Sequence, residues 1–175
     1  MLNRIAALAF AAIAFASGCS NVQEENLDDC QLDKPGSKIE NFCKGRFTYN
    51  PADFSSDENT TIFAAVLEMN TFFNKDLVSL TAVSSEQESC QIKRQNLPGD
   101  EIGFYRIKQK DIVLDFDKIK SQTSEQKEFS NLIIHEALHS LGMLHSVSGA
   151  MCSSGAGHYL SQVDLDQARE LGLID

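Results

Sequence analysis

The chain has 175 residues, 42% hydrophobic and 23% charged, a composition that supports a folded domain of ordinary size and excludes a disordered or collagen-like chain. Fifteen Lys and Arg face 25 Asp and Glu, a formal charge of −10 that repels phosphate backbones, so nucleic acid is excluded as a partner. No apolar run reaches the roughly 20 residues of a membrane-spanning helix.

In chain order, Arg4 precedes an uncharged stretch from Ile5 to Phe15 and the small residues Ala16-Ser17-Gly18 before Cys19. That order of positive start, short apolar middle and small-residue cleavage site is a secretory signal over 1–18, excluded from the fold. A polar, acidic segment with Pro35 and Gly36 follows and reads as a tether over 19–44. The domain proper is expected over 45–175. Its first elements are a strand at Arg46–Tyr49 and a helix opened by Ser55 with Glu58 at capping-box spacing, whose buried stripe is Ile62, Val66, Met69 and Phe73. Strands are expected at Leu77–Ala82, Cys90–Arg94, Gly103–Ile107 and Ile112–Phe116, the last alternating with Ile112, Leu114 and Phe116 on one face. Thr123 with Gln126 opens a long helix carrying Phe129, Ile133, Ile134, Leu138 and Leu141, and Gly142 ends it. Ser161 caps a last helix whose apolar residues are Leu165, Ala168 and Leu171.

The chemistry sits in the long helix. His135-Glu136-Ala137-Leu138-His139 is followed by Ser140-Leu141-Gly142-Met143-Leu144-His145, the pattern HExxHxxGxxH, which arises by chance in roughly one such chain in 10⁵. Residues at i and i+4 share a helix face, so His135 and His139 present two imidazole nitrogens to one ion. His145 joins them only if the helix stops, and Gly142 allows the chain to turn back because positive φ carries no steric cost there. Three imidazoles and an open fourth position form the ligand set of a catalytic zinc, with one Zn2+ expected. Glu136, beside the first ligand, is expected to be the general base and acid.

These residues resemble the metzincin metallopeptidases, and the matrixins most closely. Met151, six residues after His145 in Ser148-Gly149-Ala150-Met151-Cys152, matches the Met-turn; His145-Ser146 and Leu160-Ser161-Gln162-Val163-Asp164 match matrixin sequence. Leu138 stands where matrixins usually carry glycine, and the spacer from His145 to Met151 is shorter than theirs. The resemblance implies an α+β fold with a mixed, mostly parallel sheet, an antiparallel edge strand, an active-site helix, a Met-turn and a C-terminal helix. It implies a zinc-dependent endopeptidase whose peptide or protein substrate adds as a strand to the edge strand, here Gly103, Phe104, Tyr105, Arg106 and Ile107, with Tyr105 or Arg106 shaping subsites. Calcium near Asp115 and Asp117 is a further expectation.

Residues 16–19 resemble the lipobox of bacterial lipoproteins, which implies acylation of Cys19, a lipid anchor to the membrane and residence in the bacterial cell envelope, periplasmic or at the outer membrane; Ser20 suits outer-membrane sorting. The enzyme is expected to be a monomer. Cys30, Cys43, Cys90 and Cys152 then remain for disulfides, with Cys30–Cys43 the local pairing and Cys90–Cys152 its complement. Two alternatives stand beside the endopeptidase: a catalytically silent zinc-binding lipoprotein that binds peptides, and a cell-wall or small-peptide hydrolase.

Overall fold

The computed structural model describes residues 33, 43–83, 90–99, 101–106, 108–122, 126–152 and 159–175. The signal segment, Cys19, Cys30, most of the tether, Ile107, Thr123 and the stretch 153–158 lie outside the described residues. Among the described residues no helix is long and apolar enough to cross a membrane.

The fold is mixed α+β. Strands β1 (Arg46–Tyr49), β2 (Ser79–Ala82), β3 (Cys90–Arg94), β4 (Gly103–Arg106) and β5 (Asp111–Leu114) form one sheet in the order β2-β1-β3-β5-β4. β1 pairs in parallel with β2 and β3, and β3 with β5, while β4 runs antiparallel to β5 and lies at the edge. The expected mixed sheet with one antiparallel edge strand is therefore present. Helices are α1 (Ser56–Phe72), α2 (Phe116–Gln122), α3 (Gln126–Ser140) and α4 (Gln162–Glu170).

Helix α1 starts where the capping box expects it: Ser55 Oγ accepts the Glu58 N–H at 3.3 Å and the Glu58 carboxylate accepts the Ser55 N–H at 2.8 Å. Ile62, Ala65, Met69 and Phe73 are buried, with Val66 at the margin of the stripe. The Asn70 side chain then bonds both the N–H and the carbonyl of Val78, fixing the chain's entry into β2.

The expected strand Ile112–Phe116 is corrected. Asp115 Oδ1 accepts the Lys118 N–H at 3.0 Å and the Asp115 carbonyl accepts the Ile119 N–H, so Asp115 caps a helix and Phe116 is the first residue of α2. Ile112, Val113 and Leu114 are all fully buried, because β5 sits between β3 and β4 and is covered on both faces. Phe116 instead links elements, with ring centroids 5.3 Å from Phe54 and 4.5 Å from Phe129 of α3.

The disulfide pairing is corrected too. Cys43 bonds Cys90, with Cα atoms 5.5 Å apart, which excludes both Cys30–Cys43 and Cys90–Cys152; Cys152 is also disulfide-bonded. Local sequence distance misled the expectation, because β1 and β3 are neighbours with Phe47 opposite Cys90, and this register brings Cys43 beside the start of β3.

Helix α3 packs on α1 and lies against β4. Gly103 faces Leu132 of α3, whose Cδ2 lies 3.4 Å from where a Cβ would stand. Leu132 and Glu136 share one helix face four residues apart, as Gly103 and Tyr105 share one strand face, so this contact carries Glu136 to the edge strand.

Candidate metal centre

His135 and His139 project from α3 and are buried, as is Glu136. The helix ends in a Schellman motif: the Gly142 N–H bonds the His139 carbonyl at 3.0 Å and the Met143 N–H reaches the Leu138 carbonyl at 3.2 Å, with Gly142 at φ +98°. This turn returns the chain so that His145 meets the helical pair. The three Nε2 atoms converge, His139 Nε2 lying 3.1 Å from that of His135 and 3.2 Å from that of His145.

The opposite ring nitrogens explain why this cluster fits a cation. His135 Nδ1 is 2.7 Å from the Ala150 carbonyl and His139 Nδ1 is 2.9 Å from the Met143 carbonyl. A carbonyl only accepts, so each Nδ1 carries the hydrogen and each Nε2 carries a lone pair. Burial holds His139 down to about 4, with the neighbouring His145 charge acting in the same direction, so its ring is neutral at physiological pH. Lone pairs facing one another at hydrogen-bond distance are the arrangement that a shared cation resolves, and the three histidines together are able to hold a metal ion.

Glu136 is at the same site. Burial pushes its carboxyl up to about 8, against the Tyr105 backbone N–H that hydrogen-bonds to it. The carboxyl thus lies beside a candidate ion ligand, where it is able to exchange a proton.

Met151 is fully buried in the core. Its carbonyl accepts the Ser146 N–H at 2.9 Å, and the Cys152 N–H closes a turn onto the Gly149 carbonyl. Asp164 of α4, which sequence reasoning quoted but gave no role, anchors this turn: its carboxylate accepts the N–H groups of Ala150 at 3.0 Å, Met151 at 3.2 Å and Ser161 at 2.8 Å, and the Ser161 hydroxyl at 3.1 Å. The signal available was the Ser161-to-Asp164 spacing, that of a capping box. Gly149, at φ +80°, lies so close that a Cβ would run into both Ser161 Oγ and the Asp164 carboxylate.

A second unanticipated residue is Asp33, from the segment read as a tether. Its Oδ2 accepts the His145 backbone N–H at 2.8 Å and lies 3.3 Å from His145 Nδ1. Burial works to raise its carboxyl, but the hydrogen bond from His145 and that residue's charge hold it below its ordinary value. Nothing in the sequence around Asp33 signals this contact across 112 positions.

The edge-strand residues Gly103, Phe104, Tyr105 and Arg106 are half-buried in β4. Arg106 forms a two-pronged pair with Asp111, both bonds 2.7 Å, and the Tyr105 hydroxyl lies 3.4 Å from Cys43 Sγ, so both side chains are engaged within the sheet region. Asp115 is taken by the Leu97 and Lys118 N–H groups and Asp117 by Arg94, so protein donors occupy the carboxylates expected to attract calcium.

The chain matches no protein-family model, and no curated protein gives a significant sequence match.

Proposed function

We propose that the protein is a zinc-dependent metalloendopeptidase of the metzincin type. The observation that carries this reading is the convergence of His135, His139 and His145 at 3.1–3.2 Å between ring nitrogens, with buried Glu136 beside them on α3. His135, His139 and His145 would hold the ion. Three neutral nitrogen ligands suit zinc, which when bound supplies Lewis-acid activation of water and of the scissile carbonyl.

The chain's own groups carry the remaining steps. Glu136 takes the proton of the attacking water and delivers it to the leaving amine, so one carboxyl acts as base and then as acid. The substrate backbone pairs with the β4 edge at Gly103–Arg106 and sets the scissile bond above the histidines. Met151 and the Asp164-anchored turn form the floor under the ligands. Acylated Cys19 would hold the domain at the surface of a bacterial envelope membrane, periplasmic or outer.

The test measures zinc content and cleavage of a quenched peptide library by the full chain, in wild type and in Glu136→Ala. One zinc in both, with cleavage only in wild type, is the expected result. Zinc in both with cleavage in neither overturns the peptidase reading in favour of a peptide-binding lipoprotein, and wild type without zinc overturns the metal centre.

A further inference from the structure

The three imidazoles of the cluster are not held alike. Each turns Nε2 inward and Nδ1 toward an oxygen. For His135 and His139 that oxygen is a main-chain carbonyl, of Ala150 and Met143, within 15 and 4 residues of the ring it orients. For His145 the facing group is the Asp33 carboxylate, 112 residues away, and the same Oδ2 also accepts the backbone N–H of His145. One oxygen thus accepts the main-chain N–H of His145 and lies 3.3 Å from its ring nitrogen.

His145 is the member that most requires such a contact. His135 and His139 ride on α3 and inherit its rigidity, whereas His145 lies beyond the Schellman turn in a segment with no helical or strand register, and its side chain is 27% exposed. A carboxylate facing Nδ1 does more than a carbonyl: it fixes the Nδ1–H tautomer, and its charge draws on that hydrogen and makes Nε2 the stronger donor.

We propose that Asp33 is a positioning residue of the metal centre, which orients His145 and strengthens it as a ligand, so that the segment N-terminal to the catalytic domain completes the site. This rests on reading the histidine cluster as a metal centre. It also moves the functional boundary: the unit that binds the ion includes Asp33, ahead of the start expected at residue 45. Asp33 touches neither substrate nor reacting atoms, and its influence passes through His145 alone.

The test uses the full chain as wild type, Asp33→Ala and Asp33→Asn. Zinc affinity and release rate are measured by competition with a chelating dye, the visible bands of the cobalt(II)-substituted protein report ligand geometry, and thermal unfolding in EDTA reports the metal-free fold. Asp33→Ala is expected to weaken zinc binding by about 10- to 100-fold, speed its release and alter the cobalt bands, with little change in metal-free unfolding. Asp33→Asn, which keeps an acceptor oxygen but loses the charge, is expected to fall between the two. Zinc affinity within twofold of wild type in both variants, with unchanged cobalt bands, overturns the proposal while leaving the metal centre intact. A loss of affinity matched by a collapse of the metal-free fold in both variants also overturns it, because Asp33 is then a folding residue. Wild type that takes up neither metal overturns the metal-centre reading and this inference with it.

Discussion

Replacing Asp164 with alanine probes how the turn at Ala150 and Met151 is held. The Asp164 carboxylate is 1% exposed and accepts four hydrogen bonds, and substitution leaves the N–H groups of Ala150 and Met151 without acceptors in a region where both residues are buried. A buried donor left unmade costs about 1–3 kcal/mol, whereas the N–H and hydroxyl of the half-buried Ser161 regain water. Burying the carboxylate carries its own cost, visible in the upward displacement of its pKa by burial against those same hydrogen bonds, and losing it offsets part of the damage. The net loss comes to about 3 kcal/mol. It should also reach the ion, because the Ala150 carbonyl that Asp164 helps to hold is the one facing His135 Nδ1. Urea unfolding followed by circular dichroism in EDTA measures the first effect and chelator competition the second, with about tenfold weaker zinc binding expected. Gly149→Ala approaches the same joint from the other side, since its Cβ collides with the carboxylate, and should reproduce both effects. Metal-free stability of Asp164→Ala within about 0.5 kcal/mol of wild type would refute the reasoning, since that is the scatter of ordinary surface substitutions.

Two further outcomes are expected. Glu58 is buried, which acts to raise its carboxyl, but bonds from Lys120 and the Ser55 N–H and the charge of Arg94 hold it below its ordinary value of 4.5. A lowered folded-state pKa contributes stability that is present above that ordinary value and lost as pH falls through the folded value; Glu58→Gln should therefore cost about 2 kcal/mol at pH 7 and flatten the acid limb of a stability–pH curve below 4.5. The Cys43–Cys90 bridge closes a loop of 47 residues' separation, so replacing both cysteines with serine should lower stability by about 4 kcal/mol on chain-entropy grounds, read as a shift in the urea midpoint.

What the sequence determined by itself was most of what short-range geometry governs. The i, i+4 placement of His135 and His139, the stop at Gly142 and the Ser55–Glu58 cap follow from the pitch of a helix and from hydrogen bonds that close within five residues, and all appear where the pattern put them. The strand Ile112–Phe116 failed at its last two residues, because alternation continued across Asp115 while the local competition between strand pairing and helix capping went to the cap. Tertiary structure alone decided the rest. Cys43 chose Cys90 over a nearer cysteine because parallel pairing of β1 with β3 brings them together, and strand order is a property of the packed sheet. Asp164 found the Met151 turn through α4 packing, and Asp33 found His145 across 112 positions. Carboxylates carry no periodicity that announces a distant partner; their role is set by which donors surround them once the chain is packed, and that is a matter of space, not of sequence distance.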